Sequence, residues 1–238
     1  MVNRRLLLWA AAALLVAGFS ALGLWQLRRG EAKQAMLERA AAALRERQPL
    51  SFSAAELRDA QGYDWVAGHV RRADAPLLLL DNQRRGQQVG VRVLAVLHPR
   101  EGRPLLADFG WLPVPGNRDF PAVQLPAGEL EVSGLLAPAP GAGLALGPAW
   151  TPEVPAGREP RWLLTRVDVP ALSAALGLPL QPRVLRLDPA LRVGYARDLE
   201  VLPNTLPPER HRGYALQWFG LAFATACTAL FMSLRPPR

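Results

Sequence analysis

Four residues near the C-terminus, His211, Tyr214, Gln217 and Trp218, fall within about 120° of one another at helical spacing. Together they put a nitrogen ligand, an amide and two amphipathic rings on one face. A second group near the N-terminus, Trp25, Gln26, Arg29 and Lys33, lies within about 100° on its own helix and sets two cations beside apolar surface. Two antiparallel spans bring the end of the first to the depth at which the second begins, so a composite site is geometrically natural. It suits an amphipathic anion such as haem, whose iron takes an axial imidazole and whose propionates pair with Arg or Lys. The same residues have a plainer reading, in which Tyr214 and Trp218 belong to an interfacial aromatic belt, His211 lies among head groups and the basic side chains snorkel.

Little else in the chain has the makings of chemistry. His69 and His98 fall in or at the ends of predicted strands, and no Ser, His and Asp grouping forms a recognisable motif. Asp64, Asp74, Asp81 and Asp108 border predicted turns, where a carboxylate bonds its own backbone, and no pair of them is set up as general acid and base. The one cysteine, Cys227, excludes a disulfide or a Cys-based metal site within one chain. Gly141 to Gly147 superficially matches a dinucleotide-binding loop, but the spacing is wrong and no strand-to-helix context surrounds it. No metal other than a haem iron on His211, and no catalysis, is expected.

The net charge of +8 arises from 28 Lys and Arg against 20 Asp and Glu. The cations are mostly Arg scattered along the chain, with no block that reads as a nucleic-acid arm. Half the residues are hydrophobic, and two uncharged runs account for much of this. Residues 6–27 follow Arg4 and Arg5 and are too long for a typical signal-peptide apolar region, so they read as a retained anchor, with cleavage after Ser20 (Gly18 and Ser20 being small) as the alternative. Residues 214–234 carry no ionisable side chain except the Cys227 thiol and the Tyr214 phenol, and make a helix of about 31 Å against a hydrocarbon core of about 30 Å. Flanking Arg residues balance on both sides of each span, so charge does not set the orientation.

Between the spans, residues 28–47 continue the first helix, with no proline before Pro49. Ser53 to Glu56 has capping-box spacing and predicts a short helix ending near Gly62. The period then changes to two. Strands are predicted over 64–72, 76–82, 89–98, 104–111, 129–136, 161–166 and 183–187, with hairpin loops at 81–86 and 99–103. Asp168 caps a helix that stops at Gly177, and 203–208 is a Pro-rich linker. The predicted fold is an α+β membrane protein, in which two transmembrane helices (6–27 and 211–234) flank a mostly antiparallel β-sheet or small barrel domain with short helices (28–210).

Several stretches together resemble the Surfeit locus protein one (Shy-one) family: Leu22-Gly23-Leu24-Trp25-Gln26-Leu27-Arg28-Arg29 with Lys33 beyond, Asp81-Asn82 followed by Gly86 and Gly90, Gly110-Trp111-Leu112-Pro113, Val132-Ser133-Gly134, and His211 to Phe219. The resemblance covers nearly the whole chain and is most specific at its two ends. It implies a non-enzymatic assembly factor for haem-copper cytochrome c oxidase whose main domain lies in the periplasm (or the mitochondrial intermembrane space) between two spans. Only five residues precede the first apolar run, too few for a transit peptide, so the expected location is a bacterial inner membrane with both termini cytoplasmic. It also implies a role with haem a, its supply pathway and oxidase subunit I. Carried onto this sequence, His211 becomes the haem iron ligand, with Tyr214, Gln217, Trp218, Trp25 and Gln26 lining the site. Two positions depart from the family pattern, Gln83 and Phe109, each standing where the family usually has Arg. The competing reading is a membrane-anchored scaffold that grips oxidase subunits, or another membrane complex, without touching haem.

Overall fold

The computed structural model describes residues 4–116, 120–140, 147–153, 159–201 and 206–234. It divides into two compact units, one made of the chain's two ends (Met1–Glu38 with Leu202–Arg238) and one made of Arg39–Val201.

The terminal unit contains most of helix α1 (Arg4–Glu46) and all of helix α4 (Pro208–Leu234). Both helices are long and apolar enough to cross a membrane. Their apolar side chains point outward, with Leu14 and Leu216 each 75% exposed and Phe223 73%. A water-soluble helix pair would bury such residues, whereas in hydrocarbon they meet a solvent like themselves. The residues that are covered recur at alternating steps of four and three: Ala12, Val16, Phe19, Gly23, Gln26, Gly30 and Lys33 on α1, and Pro208, His211, Ala215, Trp218, Ala222, Thr225 and Ala229 on α4. That is the seam of an antiparallel coiled coil, in which each helix shows its partner a stripe about two residues wide per seven.

The second unit is a β domain. Short helix α2 (Phe52–Glu56) precedes strands β1 (Asp64–Arg72), β2 (Leu77–Arg85), β3 (Gln88–Pro99), β4 (Leu105–Pro113), β5 (Glu129–Pro138), β6 (Trp150–Glu153) and β7 (Arg161–Leu164). Helix α3 (Val169–Leu176) and strand β8 (Arg183–Leu187) follow. β1 pairs with β5, β5 with β8, β8 with β4 and β4 with β3, and the far end of β3 returns to β1 where Val70 faces Pro99 and Arg72 faces Leu97. Five strands therefore close into a small barrel. The near half of β3 pairs instead with β2, from which β7 and β6 extend as a branch. Two pairings, β2 with β7 and β4 with β8, are parallel.

Alternate residues serve two cores. Val66, Val93, Ala95, Leu105, Ala107 and Leu136 fill one, while Leu78, Leu94, Val96, Leu106 and Val184 turn the other way and pack with Leu172 of α3. Strands buried on both faces read as continuous apolar runs, as 77–80 and 93–97 do. Helix α3 is capped by Asp168, whose side chain accepts from the Ala171 amide, and ends at Gly177 with φ of 66°.

The structure corrects several local readings. The cap of α2 is Ser51, not Ser53, and the helix ends at Glu56, whose carboxylate pairs with Arg103. Strand β2 runs on through the predicted hairpin loop, taking up one extra residue as a bulge with Asn82 in the left-handed region at φ of 55° and turning only at Gly86. Strand β6 was not anticipated, since Pro152 argues against a strand and is tolerated only at a sheet edge. The loop predicted over 141–147 lies outside the described residues except for Gly147, and the linker except for 206–208.

Asp64 does not serve a turn, and Asp108 bonds its own backbone but also an arginine. Asp64 takes Arg58 on one oxygen and Arg183 on the other, each at 2.6 Å. Asp108 takes Arg92 at 2.6 Å and the Gly110 amide at 2.9 Å, where Phe109 bulges out of the register of β3 and β4. Arg183 is only 1% exposed and also donates to the Ala55 carbonyl, so it ties β8, β1 and α2 together. Arg197 gathers the carbonyls of Asp188, Leu191, Val193 and Phe109. Burial pushes the Arg186 guanidinium below its ordinary pKa, against the pull of Asp108. Phe109 is fully buried in the first core, and Gln83 bonds the Asp81 carbonyl while its own carbonyl accepts from the Trp111 indole. The two departures from the family pattern are thus absorbed into packing and backbone hydrogen bonds.

Candidate functional site

The site is built where the seam of the helix pair turns polar. His211 is 6% exposed, and its Nδ1 lies 2.7 Å from Oε1 of Gln26, 185 residues away in the chain. The amide oxygen can only accept, so Nδ1 carries a proton, and Nε2 has no acceptor to which a second proton could be given. That Nε2 is buried and has no hydrogen-bond partner. Lys33, 8% exposed, donates from Nζ to the Leu206 carbonyl at 2.6 Å. Three polar side chains thus lie in a stripe that a coiled coil normally fills with aliphatic residues.

Two glycines make the approach possible. A Cβ on Gly30 would sit 3.3 Å from both His211 Cβ and the Pro208 carbonyl oxygen, and one on Gly23 would sit 2.7 Å from Cε1 of Phe219. Small residues at a membrane helix interface let the backbones come close enough for side chains to reach across. Further along the seam the rings of Phe19 and Trp218 stack with centroids 5.8 Å apart. Beyond that stack lies an apolar cavity of about 530 Å³ between Leu8, Trp9 and Leu15 on α1 and Leu221, Thr225 and Met232 on α4. The hydroxyls of Thr225 and Thr228 are turned onto carbonyls of their own helix, at 2.8 Å each.

Of the eight residues the sequence pointed to, the structure brings His211, Gln26, Lys33 and Trp218 into the seam. Trp25, Arg29, Tyr214 and Gln217 are exposed, Trp25 at 57% and Tyr214 at 39%. They are not scattered, however. On each helix they lag the seam in the direction of winding, and because the helices run antiparallel the two lagging sides are the same flank of the pair. The opposite flank carries Leu24, Leu216 and Phe223, all exposed. One flank is therefore aromatic and polar above a buried imidazole, and the other is oily.

Gln26, expected to line the site, holds the imidazole at Nδ1 across the seam. Gly23, Gly30 and Phe19 were not anticipated as part of the site. Their signal was present in the alternating steps of four and three from Phe19 to Lys33, a pattern that only a partner helix makes meaningful. His69 and His98 lie in β1 and β3, in the other unit. Among the described residues no group of three or more His, Cys, Asp or Glu could hold a metal ion. A single haem-type axial ligand does not need one.

Comparison with known proteins agrees with the arrangement of the chain. No individual curated protein matches it. The model of the SURF1 family matches residues 13–223, from within the first apolar helix to within the last and through the whole β domain between them. The chain belongs to the SURF1 family, which is associated with the assembly of cytochrome c oxidase.

Proposed function

We propose that this protein takes up haem a during oxidase assembly and presents it for insertion into oxidase subunit I, acting as a carrier and not as an enzyme. The observation that carries the reading is the state of His211. Its Nδ1 proton is committed to Gln26, and its Nε2 is an unpartnered base held in the seam. A neutral imidazole with its second nitrogen fixed by an amide is the form that ligates iron, and the outer partner sets ring orientation and basicity. Trp25, Tyr214, Gln217 and Trp218 offer ring faces and an amide to a flat macrocycle, while Lys33 and Arg29 supply cations for its carboxylates. Haem a would come from its supply pathway and leave for subunit I, so the axial bond has to be strong enough to hold and weak enough to release.

The same reading places the spans in the bacterial inner membrane with both termini in the cytoplasm and the β domain in the periplasm. Alkaline phosphatase inserted at Gly147 should then be active. An inactive insertion there with an active C-terminal fusion reverses the orientation.

The decisive experiment is to co-express the chain with a haem a-producing pathway, purify it and record the visible spectrum. Haem a bound in the wild type and absent from His211→Ala supports the proposal. Its absence from the wild type refutes it and favours a scaffold that grips oxidase subunits without haem.

A further inference from the structure

The nitrogen that would ligate iron is covered, and the segment leading into α4 shows what could uncover it. We propose that Leu206–Pro208 is a strap holding the His211 site shut, and that Lys33 is its latch, exchanging the Leu206 carbonyl for an anionic group of the incoming ligand when the strap lifts. The inference rests on the haem reading only for what the opened site receives.

Three observations carry it. First, the strap crosses α1 beside His211: Leu206 is bonded by Lys33, and the Pro208 carbonyl and His211 Cβ both close on Gly30 at 3.3 Å from where its Cβ would be. Second, the strap is weakly tied. Pro207 and Pro208 have no N–H to give to any acceptor, and the Pro207 carbonyl is used within α4 by the Arg210 amide. The Leu206 side chain is 47% exposed, and among the described residues the Lys33 bond and the burial of Pro208 are what attach the strap to α1. Third, Lys33 is mismatched with its surroundings. Among the described residues no carboxylate pairs with it, and a buried ammonium holding one neutral carbonyl has more to gain from an anion than from the contact it has. A ligand bearing a carboxylate would therefore compete with the strap for the same cation, and winning that contest would free the path to Nε2.

The test measures the access of diethyl pyrocarbonate, which acylates unprotonated imidazole nitrogen, to each histidine of the full chain in detergent, read by mass spectrometry. His69 is exposed and serves as the internal reference. In the wild type His211 should react far more slowly than His69. Lys33→Met should raise the His211 rate about tenfold, as expected for loss of one hydrogen bond to a charged group. Lys33→Arg still donates to a carbonyl and should restore protection. Opening of the strap is distinguished from separation of the helices by Ala222→Cys in a Cys227→Ser background, which should stay unreactive to N-ethylmaleimide alongside Lys33→Met. Three results overturn the proposal: His211 as reactive as His69 in the wild type, no change in Lys33→Met, or a rise accompanied by maleimide labelling at position 222. Added ferric protoporphyrin chloride separates the two readings. If no form takes it up, the haem reading fails while the acylation rates still decide the strap.

Discussion

His211 and Gln26 share a 2.7 Å hydrogen bond across the helix pair, and that bond decides which nitrogen of the imidazole can act as a base. Two residues 185 positions apart thus specify a chemical state that neither has alone. Replacing Gln26 should therefore alter ligation without touching the ligand. Gln26→Leu should weaken haem binding by about 10–100-fold, the range for loss of a hydrogen-bonding partner behind a metal-ligating His, and His211→Ala should abolish it. His69→Ala and His98→Ala, both in the β domain, should leave the spectrum unchanged. Titration of the Soret band is the measurement, and a spectrum lost in either β-domain variant but kept in His211→Ala moves the ligand out of the helix pair.

A Cβ on Gly23 would sit 2.7 Å from Cε1 of Phe219, so a larger side chain there must displace that ring. Gly23→Leu should loosen the helix pair by about 1–3 kcal/mol, the usual penalty for overpacking, whereas Gly18→Leu has nothing within 4 Å to meet and should be neutral. Unfolding in mixed detergent micelles measures both. Phe219→Leu should recover part of the Gly23→Leu loss. Equal effects at positions 18 and 23 would mean that the close approach of the two helices plays no part.

Asp64 holds Arg58 and the fully buried Arg183. Asp64→Ala strands the Arg183 charge inside the β domain and should destabilise it by about 3–5 kcal/mol. Arg100 and Glu129 form an equally short ion pair at 2.6 Å, but both side chains stand in solvent. Arg100→Ala should leave the denaturation midpoint where it was. A thermal melt of each variant checks the contrast, and comparable shifts in the two would contradict it.

Tyr63 is half-buried, and burial raises its phenol pKa against the pull of Arg39 and Arg186. Folding therefore favours the protonated ring. The contribution is complete below the ordinary phenol value of about 10 and is lost as pH climbs through the raised folded value. Tyr63→Phe should flatten the alkaline limb of the stability profile relative to the wild type. An unchanged limb would show that ionisation of this ring is not linked to folding.

What the sequence determined by itself was whatever depends on local period and local chemistry. The two apolar runs, the change to period two near Asp64, and the cap and stop of α3 at Asp168 and Gly177 are written in consecutive residues, and the structure follows them. The polar face on α4 and the cation-bearing face on α1 could also be read, because helical spacing is a property of one segment. Tertiary structure decided the rest. Asp64 and Asp108 look like turn residues until the barrel closes and brings Arg183 and Arg92 to them, and strand β6 exists only because β7 offers it an edge. Within the helix pair, the sequence could propose that His211 meets residues of the first span. It could not say that Gln26 binds the ring from behind, that Lys33 spends its charge on the Leu206 carbonyl, or that Trp25, Arg29, Tyr214 and Gln217 share one flank. Those facts depend on the rotation of one helix against the other. That rotation goes with Gly23 receiving the Phe219 ring and Gly30 receiving His211 Cβ and the Pro208 carbonyl, contacts that no single segment contains.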